Sequence, residues 1–193
     1  FEKFNLNVSE QLYTSFTGMA TLPICEKLCE VFALDHSPQV LVDSKRYFFK
    51  QLFENGEELK LIDGVLELIQ HYHQLKITLI LASSASMANI NMTFQKFNLD
   101  PYLKAKISGA ELKASKPHPE IFEKAVTLSG VSKEACFVIE DATNGIIAAK
   151  AAGLFCVAFD GGHSQHQNYT QADRVVTDFK SLQLENLKQL FEN

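Results

Sequence analysis

From residue 59 onward, short apolar runs alternate with amphipathic helical patterns, and this rhythm limits the fold more than any other feature. "DGVLELIQHYHQL" leads to "ITLILAS", and "SMANINMTFQKFNL" to a short run near "AKISG". "HPEIFEKAVTLSG" leads to "CFVIED", and "ATNGIIAAKAAG" to "FCVAFD". Strands this apolar are buried on both faces, which is the signature of a parallel sheet under two layers of helix. The expected fold class is therefore α/β, a Rossmann-like parallel sheet core with helices on both faces. A last strand, "RVVTD", and a terminal helix over Ser181 to Phe191 close the pattern. Such sheets place ligands at the carboxyl ends of their strands.

Residues 1–58 read differently. "TLPICEKLCEVFAL" offers Thr21 as a helix cap, Pro23 in the first turn, and Ile24, Leu28 and Phe32 at four-residue spacing. In "SPQVLVDSKRYFFKQLFENG", Ser37 caps, Pro38 takes the first helical position and Asn55-Gly56 ends the helix. The boundaries are thus 1–58 for a small helical unit and 59–193 for the sheet core. "FENGEELK", Phe53 to Lys60, is the expected hinge.

Composition narrows the function. Net charge is −5 with no block of either sign, which argues against nucleic-acid binding. The longest apolar run, "ITLILA", is too short to cross a membrane, and "FEKFNLNVSE" has no signal-peptide pattern. We expect a cytoplasmic monomer acting on a small partner. Cys25 and Cys29, four apart on a helix, could share a face as metal ligands. Core packing in a reduced protein explains them better, as it does Cys136 and Cys156. His71 and His73 point apart on their helix, and His163 and His166 fall in a polar loop.

Polar chemistry gathers where the strands stop. "ITLILA" ends in Ser83-Ser84, "KASKPHPEIF" carries Lys116 ahead of a helix, and "CFVI" ends in Glu140-Asp141. Ser83 and Ser84 suit an anion cradle at a helix N-terminus, and Lys116 supplies a point charge. Glu140 and Asp141 have the wrong sign for a phosphate but suit Mg²⁺, which would bridge carboxylate and phosphate oxygens. Singly, each has a plain reading: a strand end, a solvated lysine, a helix cap. Together and in order at strand-to-helix junctions they read as a phosphate site. No P-loop, dinucleotide fingerprint or nucleophile elbow is present.

"LILASSAS", "KASKPHPEIF" and "VIEDATNGIIAAKAAG" resemble motifs two, three and four of the haloacid dehalogenase-like (HAD) hydrolases. The resemblance is to the β-phosphoglucomutase and sugar-phosphate phosphatase branch, which carries a helical cap. It implies that Ser83 binds the phosphoryl group, Lys116 neutralises it, and Asp141 with Glu140 holds Mg²⁺. It also implies an aspartate nucleophile that becomes an aspartyl-phosphate, with a second aspartate as general acid/base.

Motif one of that family, D-x-D-G, has no counterpart here. Asp35 lies between helices and has Ser37 two residues on, Asp43 lies inside a helix, and Asp63 has Leu61 two residues before it. The expectation is that about 20–30 residues, one strand with its loop and first helical turn, lie upstream of Phe1. The chain alone would then lack the nucleophile and the central strand. The family's mutases hold a distal phosphate with a Ser-Lys-Asn run and a cap arginine. Here the matching run is Ala85-Ser86-Met87, and "MATLPIC" after Gly18 has no arginine. The preferred reading is a Mg²⁺-dependent phosphatase of a small phosphorylated metabolite. The alternatives are a sugar-phosphate mutase and an inactive phosphate-binding or regulatory protein.

Overall fold

The computed structural model describes residues 1–56, 59–162, 166–183 and 186. Helices α1 (Glu10–Ser15), α2 (Thr21–Val31) and α3 (Pro38–Asn55) come first. There follow α4 (Val65–Gln74), β1 (Ile80–Ser83), α5 (Met87–Phe97), β2 (Ala105–Ser108), α6 (Glu120–Ser129), β3 (Phe137–Glu140), α7 (Thr143–Ala151), β4 (Phe155–Phe159) and β5 (Arg174–Val176). The expected alternation is present throughout. The expected terminal helix falls mostly outside the described residues; its start, Ser181 and Leu182, belongs to a 3₁₀ turn over Phe179–Leu182.

All strand pairs among the described residues are parallel. β1 pairs with β2 from Ile80 opposite Ala105 to Ser83 opposite Ser108. β3 pairs with β4 from Phe137 opposite Phe155 to Glu140 opposite Ala158, and β4 pairs with β5. Among the described residues, these pairings make two sheets, β1-β2 and β3-β4-β5, with no ladder joining them. A cavity of about 290 Å³ is lined by Leu79 ahead of β1, by Ile139 and Glu140 of β3, and by Val65 and Tyr72 of α4.

Strand residues alternate between two helix layers, as the period of two requires. Val138, Cys156 and Ala158 pack with Ile121, Phe122 and Ile146 of α6 and α7. Phe137, Ile139, Val157 and Phe159 pack with Leu68 and Tyr72 of α4 and with Phe179. The Phe159 and Phe179 rings stack at 4.0 Å. Ile121 and Ile146 are almost wholly buried, each worth about 1.5–3 kcal/mol. No described helix is long and apolar enough to cross a membrane.

The helices before residue 56 have a core of their own, built on Phe16, Cys25, Leu28, Leu41 and Val42. Two cap expectations change here. Ala20, not Thr21, precedes the first turn of α2, and the Thr21 hydroxyl accepts from Lys45 Nζ at 2.8 Å. Ser37 does occupy the N-cap of α3, but its side chain makes no capping bond. Of the expected hinge, Phe53 to Lys60, residues 57 and 58 lie outside the described set.

Candidate functional site

The end of β1 is shaped by two serines and one glycine. Ser83 Oγ accepts from Ala85 N at 3.2 Å, and Ser108 Oγ donates to Ala85 O at 2.8 Å. A Cβ on Gly109 would lie 3.2 Å from Ser84 Cα, so the loop after β2 closes tightly under the end of β1. Ser86 Oγ accepts from Asn89 N and starts α5. The Ser84 hydroxyl, read from the sequence as a phosphate donor, gives its one proton to Gly18 O.

Lys116 is buried, with 6% of its side chain exposed. Its ammonium pairs with Glu140 Oε1, donates to Ala82 O at 3.2 Å and sits 4.8 Å from the Phe122 ring centroid. This lysine is therefore a positive partner of the Glu140 carboxylate that the sequence pattern did not reveal. Desolvating both charges costs several kcal/mol per ion, so the pair needs good geometry and further hydrogen bonds. Glu140 Oε2 supplies one by accepting from Asp141 N at 2.8 Å. Glu120 fixes the loop that presents Lys116, its carboxylate accepting from Lys113 N and Ala114 N.

The close approach of β3 to α7 depends on Gly145. A Cβ there would fall 1.6 Å from Glu140 Oε1, so only glycine leaves room for the carboxylate. This is the physical role of the small residue in "DATNG".

Asp141 is exposed beside this pair and lines the 290 Å³ cavity together with Glu140. Among the described residues no three of His, Cys, Asp and Glu gather as a metal cluster. Two adjacent carboxylates still fit Mg²⁺, which keeps several waters and takes one or two carboxylates plus substrate phosphate oxygens.

Three contacts fasten the chain before α2 to this site. Ser84 reaches Gly18 O as described. Asn144 Nδ2 donates to Ser15 O at 3.0 Å and to Thr17 O at 2.8 Å. Gly18 has φ +84°, and a Cβ on it would meet Ala142 Cβ at 2.9 Å. Sequence reasoning missed Asn144 and Gly18. Gly18 carried a signal, an isolated glycine between helices; Asn144 carried none, because its partners lie 127 and 129 residues away.

The other titratable candidates are structural. Cys25 and Cys156 are buried, and burial pushes both thiols up, Cys156 to about 12. Cys29 Sγ donates to His36 O at 3.5 Å. His73 packs edge-on against Tyr102, and His166 Nε2 lies 2.8 Å from Glu10. His163 lies outside the described residues.

Sequence comparison finds relatives of this chain, and structure comparison finds its fold elsewhere. CbbY of Cereibacter sphaeroides is 29% identical over 154 residues, covering 77% of this chain and 66% of that protein. A phosphorylated carbohydrates phosphatase of Thermotoga maritima is 27% identical over 157 residues, covering 79% and 70%. The crystal structure of β-phosphoglucomutase from Clostridium difficile superposes with a TM-score of 0.81 at 21% identity, covering 98% of this chain and 84% of that one. The chain thus spans just under two thirds of the CbbY relative's length. The family described as haloacid dehalogenase-like hydrolase matches residues 1–159, and the chain belongs to it.

Proposed function

We propose that this chain forms the phosphate and metal half of a Mg²⁺-dependent phosphatase acting on a small phosphorylated metabolite, a sugar phosphate by preference. The observation that carries the reading is the buried Lys116–Glu140 pair beside Ser83 at the strand ends. An ammonium held in a low-dielectric pocket is a preorganised counter-charge for a phosphoryl group. The Ser83 hydroxyl and the start of α5 supply hydrogen bonds to the same anion. Asp141, with Glu140 behind it, would hold Mg²⁺, which supplies Lewis-acid stabilisation when bound. The phosphatase and CbbY relatives support this class of substrate.

The attacking carboxylate belongs on a strand between β1 and β3. The sequence contains no D-x-D, and among the described residues β1-β2 and β3-β4-β5 are separate ladders. In this reading an aspartate there takes the phosphoryl group from the substrate ester, and water then releases it as phosphate. Residues 1–58 act as the cap and 59–193 as the core, with the 15–18 segment at their junction.

A mutase is the second reading, supported by the β-phosphoglucomutase likeness but opposed by Ala85-Ser86-Met87 in place of Ser-Lys-Asn. The test is a panel of sugar phosphates given to the protein carrying a D-x-D strand, with Mg²⁺ and with chelator. Phosphate release that needs Mg²⁺ and is abolished by Asp141→Asn is expected. Isomerised product with little phosphate release would establish the mutase instead. Neither product, with inorganic phosphate still bound by this chain, would leave the inactive binding protein standing.

A further inference from the structure

α7 begins just after Asp141 and has no cap of its own. Its N-cap position is Ala142, whose side chain cannot accept a hydrogen bond. The first N–H groups of a helix need acceptors from outside it. Here Gln167, in the loop between β4 and β5, provides one: its Oε1 accepts from Thr143 N at 2.8 Å. The bond is returned one residue on, where Asn168 N donates to Thr143 Oγ1 at 2.7 Å. Two bonds exchanged at one helix start follow the logic of a capping box, made here between residues 24 and 25 positions apart.

The loop is itself held in place. Asn168 Oδ1 accepts from Thr170 N at 2.9 Å, an Asx turn. Tyr169 packs on the core that contains Ile146 and Ala149 of α7. Asp173 pairs with Lys150 in the last turn of α7. The loop is therefore fastened to both ends of that helix. It also meets the helical unit, since His166 Nε2 lies 2.8 Å from Glu10 in the first turn of α1. Ser15, at the other end of α1, is the residue whose carbonyl Asn144 holds. Both ends of α1 are thus tied to the start of α7, one directly and one through residues 166–168.

Asp141 sits inside this framework. Its own N–H goes back to Glu140 Oε2, and two residues on Thr143 N goes to Gln167. The backbone between these two anchors sets the direction of the Asp141 carboxylate. We propose that Gln167 is a positioning residue for Asp141: it supplies from a distant loop the cap that α7 lacks, and so holds the turn that presents the metal ligand. This rests on the reading of Asp141 as a Mg²⁺ ligand. Through His166 the same loop links that turn to α1.

The test uses this chain and nuclear magnetic resonance, and needs no turnover. The probe is Mn²⁺, a paramagnetic substitute for Mg²⁺, its binding read from the concentration dependence of amide broadening near Asp141. Gln167→Met keeps the side-chain length and removes the acceptor. It is expected to weaken Mn²⁺ binding by about tenfold or more, the usual effect of losing an outer partner of a metal ligand. Amide exchange at Thr143 should rise in this variant while Val157 in β4 keeps its natural rate. Gln167→Glu, which retains an acceptor, should restore it. Asp173→Asn loosens the far end of the same loop and controls for stability alone; Mn²⁺ affinity is expected to be unchanged there. The proposal is overturned if Gln167→Met leaves Mn²⁺ affinity at its natural value, or if Asp173→Asn weakens it equally. Unchanged exchange at Thr143 in Gln167→Met would overturn the cap whatever the metal does. Broadening that is absent from the natural chain, or that survives Asp141→Asn, would instead overturn the metal assignment of Asp141.

Discussion

Asn144 Nδ2 lies 2.8 Å from Thr17 O, joining the first turn of α7 to the segment that leads into α2. The same amide reaches Ser15 O, so one side chain satisfies two carbonyls of a distant loop. Since Asp141 lies three residues before Asn144, the loop that carries the proposed metal ligand and the base of the helical unit are fixed to each other.

Asn144→Ala is expected to destabilise the protein by about 1–3 kcal/mol, because both carbonyls lose a donor. Amide exchange at Thr17, Gly18 and Met19 should rise in the same variant, while exchange in β4 keeps its natural rate. Urea unfolding and hydrogen exchange check the two statements. Unchanged exchange around Gly18 would show that the tie does not hold the segment.

The Lys116–Glu140 pair predicts a double-mutant cycle of unusual size. Lys116→Met or Glu140→Gln alone leaves a charge buried without its partner and should cost about 3–5 kcal/mol. The double substitution should cost less than the sum of the two, because the second removes the orphan left by the first. Denaturant unfolding of the four proteins gives the coupling directly; additive costs would mean the two charges do not depend on each other.

Asp173 sets a pH dependence. Burial alone would raise its carboxyl, but hydrogen bonds from Lys150 and from Cys156 N outweigh that and lower it from its usual value. A carboxyl lowered in the folded state gives stability that is present above the unfolded value of about 3.9 and is lost as pH falls through the folded one. Asp173→Asn should therefore cost about 1 kcal/mol or more at pH 7. The cost should shrink steadily below about pH 4. Urea midpoints for both proteins across this range test it.

Thiol labelling should separate the four cysteines. Raised values for Cys25 and Cys156 mean almost no thiolate at about pH 8, and both are buried. Iodoacetamide is expected to modify Cys29 and Cys136 first, as read by peptide mass spectrometry. Early modification of Cys156 in the folded protein would contradict its place in the core.

The sheet core was legible because its pattern is local. Each strand-to-helix step could be read within a dozen or so residues, and Lys116 reaches Glu140 and Ala82 O at the ends of β3 and β1. What escaped were relations between distant residues. Glu140 pairs with Lys116, 24 residues earlier, a contact the local pattern did not reveal. Thr21 looked like a cap from its neighbours, yet its hydroxyl serves Lys45 on another helix. β1 also begins later than the apolar run suggests. Ile77 N bonds back to Tyr72 O, so the first part of "ITLILA" finishes the turn after α4 before the ladder starts.

The fit of Glu140 against Gly145 has a consequence for how this sequence can change over generations. Position 145 accepts no larger residue while position 140 holds a glutamate that fills the space of its Cβ. A shorter residue at 140 would release 145, but it would also withdraw the carboxylate that balances Lys116. The three positions therefore constrain one another, and lineages that alter one are expected to alter the others in concert, leaving a correlated signature across related sequences.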